Sequence, residues 1–248
     1  MVRWPGPIVF DLDDTLYLER DFVRSGFAAA DRWMAKRRGL SGLGQACNEL
    51  FEQGHRGRIF DAALDRLGVA ADAALVSRLV ETYRGHQPDI ALAADAVRYL
   101  AGRGEAFHGL VTDGPAATQR AKVIALGLEP RLGRIVYTDA LGPGRGKPHP
   151  EAFERIEAWA PRHGLPLVYV ADNPMKDFIT PRSRGWLTVQ IERPARVHHL
   201  AAPDAAHAAH GRIDNLDQLD ACLLGLQAAG TSSVGTFPTD APRELPIS

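Results

Sequence analysis

Short apolar runs rich in β-branched residues return along the chain at "PIVF" (7–10), "FHGLVT" (107–112), "RIVYT" (134–138), "LVYVA" (167–171) and "WLTVQI" (186–191). Runs this short and this uniformly apolar read as strands buried on both faces. Helical patterns separate the later ones. "PAATQRAKVIALGL" opens on Pro115, a residue suited to a first helical turn, and stops at Gly127, while "PEAFERIEAWA" opens on Pro150 and runs to Pro161. Strands alternating with helices give an α/β protein with a doubly wound, Rossmann-like parallel sheet. The active site of such a sheet lies beyond the carboxyl ends of its strands.

The interval 17–90 breaks this rhythm. It holds no convincing strand but has helical stretches near 22–36, 45–53, 60–67 and 74–84, and Phe22, Phe27, Ala30, Trp33 and Met34 fall at helical spacing in the first. The expected organisation is therefore a core of residues 1–16 and 91–225 with a small α-helical insert, 17–90, between the first two sheet strands. From Leu226 onward the chain is rich in Ser, Thr, Gly and Pro, so 226–248 is expected to be a disordered tail.

Composition removes several classes of function. The formal net charge of −1, with scattered basic residues, gives no electrostatic case for nucleic acid or an anionic membrane. No apolar stretch approaches the roughly 20 residues of a membrane span. Cys47 and Cys222 stand far apart and in no metal spacing, and the apolar run of "MVRWPGPIVF" is short for a signal peptide. A cytoplasmic enzyme is the expectation.

The glycine-rich stretch "DALGPGRGKPHP" (139–150) imitates a nucleotide loop without being one. A P-loop needs glycine at 141 and a hydroxyl at 148, where this chain has Leu141 and Pro148, and the glycines at 142, 144 and 146 do not make GxGxxG. The chemistry sits at the strand ends instead. In "VFDLDDTLY" (9–17), Asp11 and Asp13 alternate with Leu12, which aims both carboxylates to one side. In "LVTDGP" (110–115), the Thr112 hydroxyl and the free amides opening a helix make an anion site. In "YVADNPMKDF" (169–178), Asp172 ends a strand, Pro174 is expected to start a helix, and Asp177 is expected in its first turn. Four carboxylates on one rim call for a divalent cation, and an all-oxygen donor set suits Mg²⁺ best. Lys147 brings a point charge to that rim, on a loop its glycines let bend close.

Taken in order, "DLDDT", "TDG", the lysine of "GKPHP" and "ADNPMKD" resemble the four motifs of the haloacid dehalogenase superfamily of phosphohydrolases, over roughly residues 7–225. The resemblance implies that Asp11 is the nucleophile that takes the phosphoryl group, and that Asp13 protonates the leaving oxygen and then activates water. It implies that Thr112 and the neighbouring amides of Asp113 and Gly114 hold the phosphoryl oxygens while Lys147 screens charge. It further implies Mg²⁺ on Asp11, the backbone carbonyl of Asp13 and Asp172, with Thr15, Asn173 and Asp177 supporting that set, Asp177 from behind or through a water. The family's cap of the first insertion type falls where the helical insert lies.

A basic alkoxide leaving group gains from a general acid and a halide does not, so Asp13 favours phosphoryl transfer over dehalogenation. The expected function is Mg²⁺-dependent hydrolysis of a small phosphorylated metabolite, such as a sugar phosphate, a nucleoside monophosphate or a small acid phosphate. A phosphomutase using the same aspartyl phosphate and a non-catalytic binding protein on the same fold are the alternatives. A signalling receiver is disfavoured by the DxD pair and by the insert. Asp113 stands where many relatives have Asn, and Arg145 is a candidate to offset its charge. Arg56, Arg58, Tyr83, Arg84 and His86 of the insert could face a substrate, but helix surfaces carry such residues routinely and none is singled out. Histidines 198, 199, 207 and 210 fit no standard zinc spacing and read as a solvated loop.

Overall fold

The structure, a computed structural model, describes residues 2–102, 107–160 and 164–230. Six strands form one sheet: β1 (Ile8–Phe10), β2 (His108–Thr112), β3 (Arg134–Tyr137), β4 (Val168–Ala171), β5 (Leu187–Ile191) and β6 (Gly211–Ile213). Every pairing is parallel and the order is β3-β2-β1-β4-β5-β6, the doubly wound arrangement expected. β1 lies between the two directions of winding. Phe10 pairs with Leu110 on one side and Val170 on the other, so the carboxyl ends of β1, β2 and β4 open onto the same edge. That register brings Asp11, Thr112 and Asp172 together from residues more than 150 positions apart in sequence at the extremes.

Side chains alternate across the sheet as a strand requires. Ile8, Phe10, Leu110, Val168, Val170, Val189 and Ile191 pack on one face. Val9, Val111, Tyr169 and Ala171 pack on the other, against Phe153 and Ile156 of the helix Glu151–Trp159. Both faces are dry, which is why these strands are apolar throughout.

The insert folds as four helices: α1 (Glu19–Arg38), α2 (Leu43–Glu52), α3 (Ile59–Arg66) and α4 (Ala73–Gly85). α1 carries Glu19 and Asp21 in its first turn and Lys36, Arg37 and Arg38 in its last, matching the helix dipole, and ends on Gly39 in the left-handed region. Asp72 caps α4 by accepting from the Leu75 amide at 2.7 Å. The apolar faces of all four meet in a core of their own, built on Phe27, Met34, Leu43, Leu50, Phe60 and Leu79.

The remaining helices are α5 (Ala94–Ala101), α6 (Ala116–Ala125), α7 (Glu151–Trp159), α8 (Ile179–Ser183) and α9 (Leu219–Gly230). Three differences from the sequence expectation follow. β6 is an edge strand of three residues, two of them not buried, and carries no apolar run to detect. α9 continues through residues 226–230, so the expected tail begins as helix, and the rest of it lies outside the described residues. Pro174 does not start a helix: residues 174–176 form a turn, and α8 begins only at Ile179. Asp177 therefore owes its place to turn geometry, accepting from the Asn173 amide at 3.0 Å, and not to a helix dipole.

Phe153 is fully buried, edge-on to Tyr169 at 5.2 Å and to Trp186 at 5.6 Å. Phe153→Ala is expected to lower the unfolding free energy by ~3–5 kcal/mol, read from urea denaturation midpoints. A loss under about 1 kcal/mol would mean that this face closes over the cavity without penalty.

Candidate active site

Asp11 follows β1 directly, and its amide donates to the Val170 carbonyl of β4 at 2.9 Å, which anchors the residue between strands. Its Oδ1 lies 2.7 Å from Lys147 Nζ. Lys147 Nζ also lies 2.7 Å from Asp177 Oδ1 and 3.0 Å from the Tyr169 hydroxyl. The Lys147 and Asp177 side chains are fully buried, so this is a lysine held between two acids and shielded from bulk solvent. Burial favours its neutral form, but Asp11 and Asp177 more than offset this and hold the ammonium well above its ordinary pKa. The approach of Lys147 depends on its loop, where Gly142 (φ 110°) and Gly144 (φ 72°) turn the chain through left-handed conformations.

Asp11, Asp172 and Asp177 each offer an oxygen, all three within 4.8 Å of one another and all buried. Among the described residues this is the one His, Cys, Asp or Glu cluster of its kind; the histidines at 198, 207 and 210 disperse to Glu19, Asp204 and Thr188. Burial, reinforced by the charges of Asp11 and Asp177, pushes the Asp172 carboxyl up to about 9. Burial also pushes Asp11 up to about 6, against the lowering by Lys147. The cluster is oxygen-only and short of positive charge, which fits a hard divalent ion such as Mg²⁺.

Asp13 stands across the same cleft as Asp11, as the alternation with Leu12 predicts. Its Oδ1 lies 2.7 Å from Lys122 Nζ, its Oδ2 accepts from Gln119 Nε2 at 3.0 Å, and the Tyr17 hydroxyl also donates to it. Burial works against ionisation, yet Lys122, with help from Tyr17 and Gln119, holds Asp13 below the usual carboxylate range. The same Gln119 amide donates to Thr112 Oγ1, so Thr112 and Asp13 are tied through one α6 side chain.

Asp113 and Gly114 line the cleft, while Thr112 lies fully buried behind them. Asp113 is more constrained than an exposed turn residue. Its Oδ1 accepts from the Thr138 hydroxyl at 2.7 Å and the Lys147 amide at 3.1 Å, and its Oδ2 from Lys176 Nζ at 2.9 Å. Against burial, Lys147 and Lys176 hold it below its ordinary pKa. Arg145 does not take part: it reaches away to Glu151 at 3.3 Å and to His149 at 3.0 Å, and the offsetting cation is Lys176. Asn173 lines the cleft. Thr15 lies fully buried beneath it, its carbonyl held by Arg193 Nη2 at 2.7 Å, and its hydroxyl bonds to none of the site's side chains.

Several contributors went unassigned from sequence. Lys122 and Gln119 sit on the buried face of α6, beside Thr118, and a polar stripe on an otherwise packed helix face is the signal that marks them. Glu19, at the start of α1, reaches back into the cleft, where burial and then Asp13 and Asp14 push its carboxyl up to about 7. His198 faces it, Nε2 3.8 Å from Glu19 Oε2. The two meet because Asp14, at φ 51°, accepts from the amides of Glu19 at 2.9 Å and Val197 at 2.6 Å. No pattern in a single sequence announces such a meeting.

A buried acid paired with a lysine, a carboxylate trio and a second acid thus gather at the switch point of a doubly wound sheet. The family model for haloacid dehalogenase-like hydrolases matches residues 8–160, and the chain belongs to that family. The curated relatives it matches are named as phosphatases. The chain is 29% identical to the glyceraldehyde 3-phosphate phosphatase of Methanocaldococcus jannaschii, over 74% of this chain and 83% of that one. It is equally 29% identical to the enzyme of that name from Methanopyrus kandleri, over 75% and 83%. In fold it is similar to the HAD-hydrolase YfnB of Bacillus subtilis, solved bound to magnesium (TM-score 0.59, 19% identity, 86% and 96% covered). It is similar also to the L-2-haloacid dehalogenase of Xanthobacter autotrophicus (TM-score 0.58, 17% identity, 90% and 99% covered).

The raised carboxyls give a pH-dependent test of the cation site. An acid whose folded pKa lies above its unfolded value adds stability below the ordinary carboxyl range and loses it as pH rises through the folded pKa, here about 6 for Asp11 and about 9 for Asp172. Metal-free protein is therefore expected to lose stability from acid to alkaline pH. The rise in melting temperature caused by Mg²⁺ should be smaller near pH 5 than near pH 9, read by differential scanning fluorimetry in EDTA and in millimolar Mg²⁺. An equal rise at both, or none, would refute the site.

Proposed function

We propose that this hydrolase is a Mg²⁺-dependent phosphatase of a small phosphorylated metabolite that carries the phosphoryl group on Asp11. The observation that bears most weight is the division of labour across one cleft: Lys147 holds Oδ1 of Asp11, while Asp13 is held separately by Lys122. Two acids with different partners suit two different tasks.

In this reading an Asp11 oxygen attacks phosphorus and the bond to the ester oxygen breaks. The departing alkoxide takes a proton from Asp13. Water then attacks the phosphorus of the aspartyl phosphate, Asp13 accepts the proton of that water, and inorganic phosphate leaves with Asp11 restored. Lys122 keeps Asp13 in the carboxylate form that the second half needs, and the negative charge of an arriving phosphoryl group offsets Lys122 and favours the acid form that the first half needs. Lys147 keeps Asp11 ionised and turned toward the cleft. The backbone amides of Asp113 and Gly114, with Lys176 beside them, donate to the phosphoryl oxygens. Asp11, Asp172 and the Asp13 carbonyl would hold Mg²⁺, with Asp177 behind them, and the ion would offset the charge that gathers on the phosphoryl oxygens. The fold is shared with dehalogenases, but a halide needs no proton, so the well-held Asp13 supports phosphoryl transfer, as do the names of the curated relatives.

The test is phosphate release from a panel of phosphate monoesters in Mg²⁺ and in EDTA. Turnover is expected to vanish in EDTA and in Asp11→Asn, and to fall ~10²–10⁴-fold in Asp13→Asn on alkyl phosphates. Metal-independent release, or undiminished release by Asp11→Asn, would overturn the reading.

A further inference from the structure

Beside the catalytic cleft lies a second chamber of about 290 Å³, walled by the insert. The two adjoin, because Glu19 and His198 line both. The catalytic cleft is polar, and the chamber is not. Its walls are Phe27, Phe51, Phe60 and Tyr83 with Val23 and Val80. The rings stand in mutual contact, Phe27 5.9 Å from Phe60 and 5.5 Å from Tyr83, and Phe60 6.1 Å from Tyr83. The charged side chains at the edge are mostly engaged. Arg56 lies 4.1 Å over the Phe51 ring and donates to the Phe51 and His55 carbonyls at 2.8 Å. Glu19 and His198 face each other at the junction. Among the described residues that wall the chamber, Arg84 is the one whose guanidinium has no hydrogen bond or ion pair.

A phosphate monoester seated over Asp11 must send its alcohol portion somewhere, and the insert's chamber is the adjoining space. Hydroxyl-rich portions lose water there without finding enough partners, which is costly. An apolar body loses nothing and buries surface. The volume is at the small end of the ~300–1,000 Å³ of small-molecule pockets, enough for about one ring.

Resting on the phosphatase reading above, we propose that the preferred substrate is a phosphate monoester of an alcohol with an apolar, ring-sized body, seated among Phe27, Phe60 and Tyr83. A triose or sugar phosphate is then a poor substrate. Any acceptor group on the body meets Arg84.

The experiment compares kcat/KM for 2-phenylethyl phosphate, glycerol 3-phosphate and glyceraldehyde 3-phosphate, all with primary alkoxide leaving groups, with p-nitrophenyl phosphate as an activated reference. The phenylethyl ester is expected to lead the two hydroxylated esters by ~10–100-fold, the worth of burying such a body. Phe60→Ala and the isosteric Val80→Thr are each expected to shrink that ratio, and the ratio within one variant is insensitive to how much of it folds. Equal rates, or a lead for either hydroxylated ester, overturn the apolar chamber and leave the phosphatase reading standing. No release from any ester, p-nitrophenyl phosphate included, overturns both.

Discussion

The contact on which the site depends is the buried ammonium of Lys147 between Asp11 and Asp177. Without it, three buried carboxylates would share a space too small to keep them ionised, since burial and the neighbouring acids already drive Asp172 toward its protonated form. One lysine cannot neutralise three acids. The remaining imbalance makes a divalent cation chemically natural there, and makes the turn from Asp172 to Asp177 as much a part of the site as the strand ends. Lys176 extends the logic outward by holding Asp113, so that positive charge from two different loops frames the place where phosphoryl oxygens would lie.

The sheet makes these meetings possible. β1 is flanked by β2 and β4, whose following residues leave in opposite directions around the sheet, and the level register of the three strand ends gathers their next residues at one edge. The insert leaves the chain immediately after β1. It thus rises from the same edge and brings Glu19 back over Asp13 and Asp14.

Much of this was legible in the sequence. The five apolar runs became β1 to β5, and the helical interval became α1 to α4, because burial on two faces or on one stripe writes a strong period into the residues. Asp11, Asp13, Asp113, Asp172 and Asn173 could be placed on a common cleft because each sits within three residues of a strand end. What failed was local or long-range. Pro174 suits a helix start, but the Asn173–Asp177 turn satisfies the same backbone groups without one. Arg145 is near Lys147 in sequence, yet Glu151 on α7 claims it. The polar stripe of α6 marks Lys122 as unusual without naming Asp13 as its partner, and the His198 to Glu19 meeting depends on how a late loop packs, which leaves no periodic trace.

The insert's core and the sheet's core are almost separate; among the described residues Tyr83 packs against both, beside Phe22 of α1, which belongs to the sheet's core. Such separation shapes how an enzyme of this kind diversifies. Drift inside the helical module alters the walls of the chamber while the acids at the strand ends keep their distances, so selectivity and chemistry can be inherited on independent terms. Tyr83, with Phe22 against it, is the joint at which that independence stops.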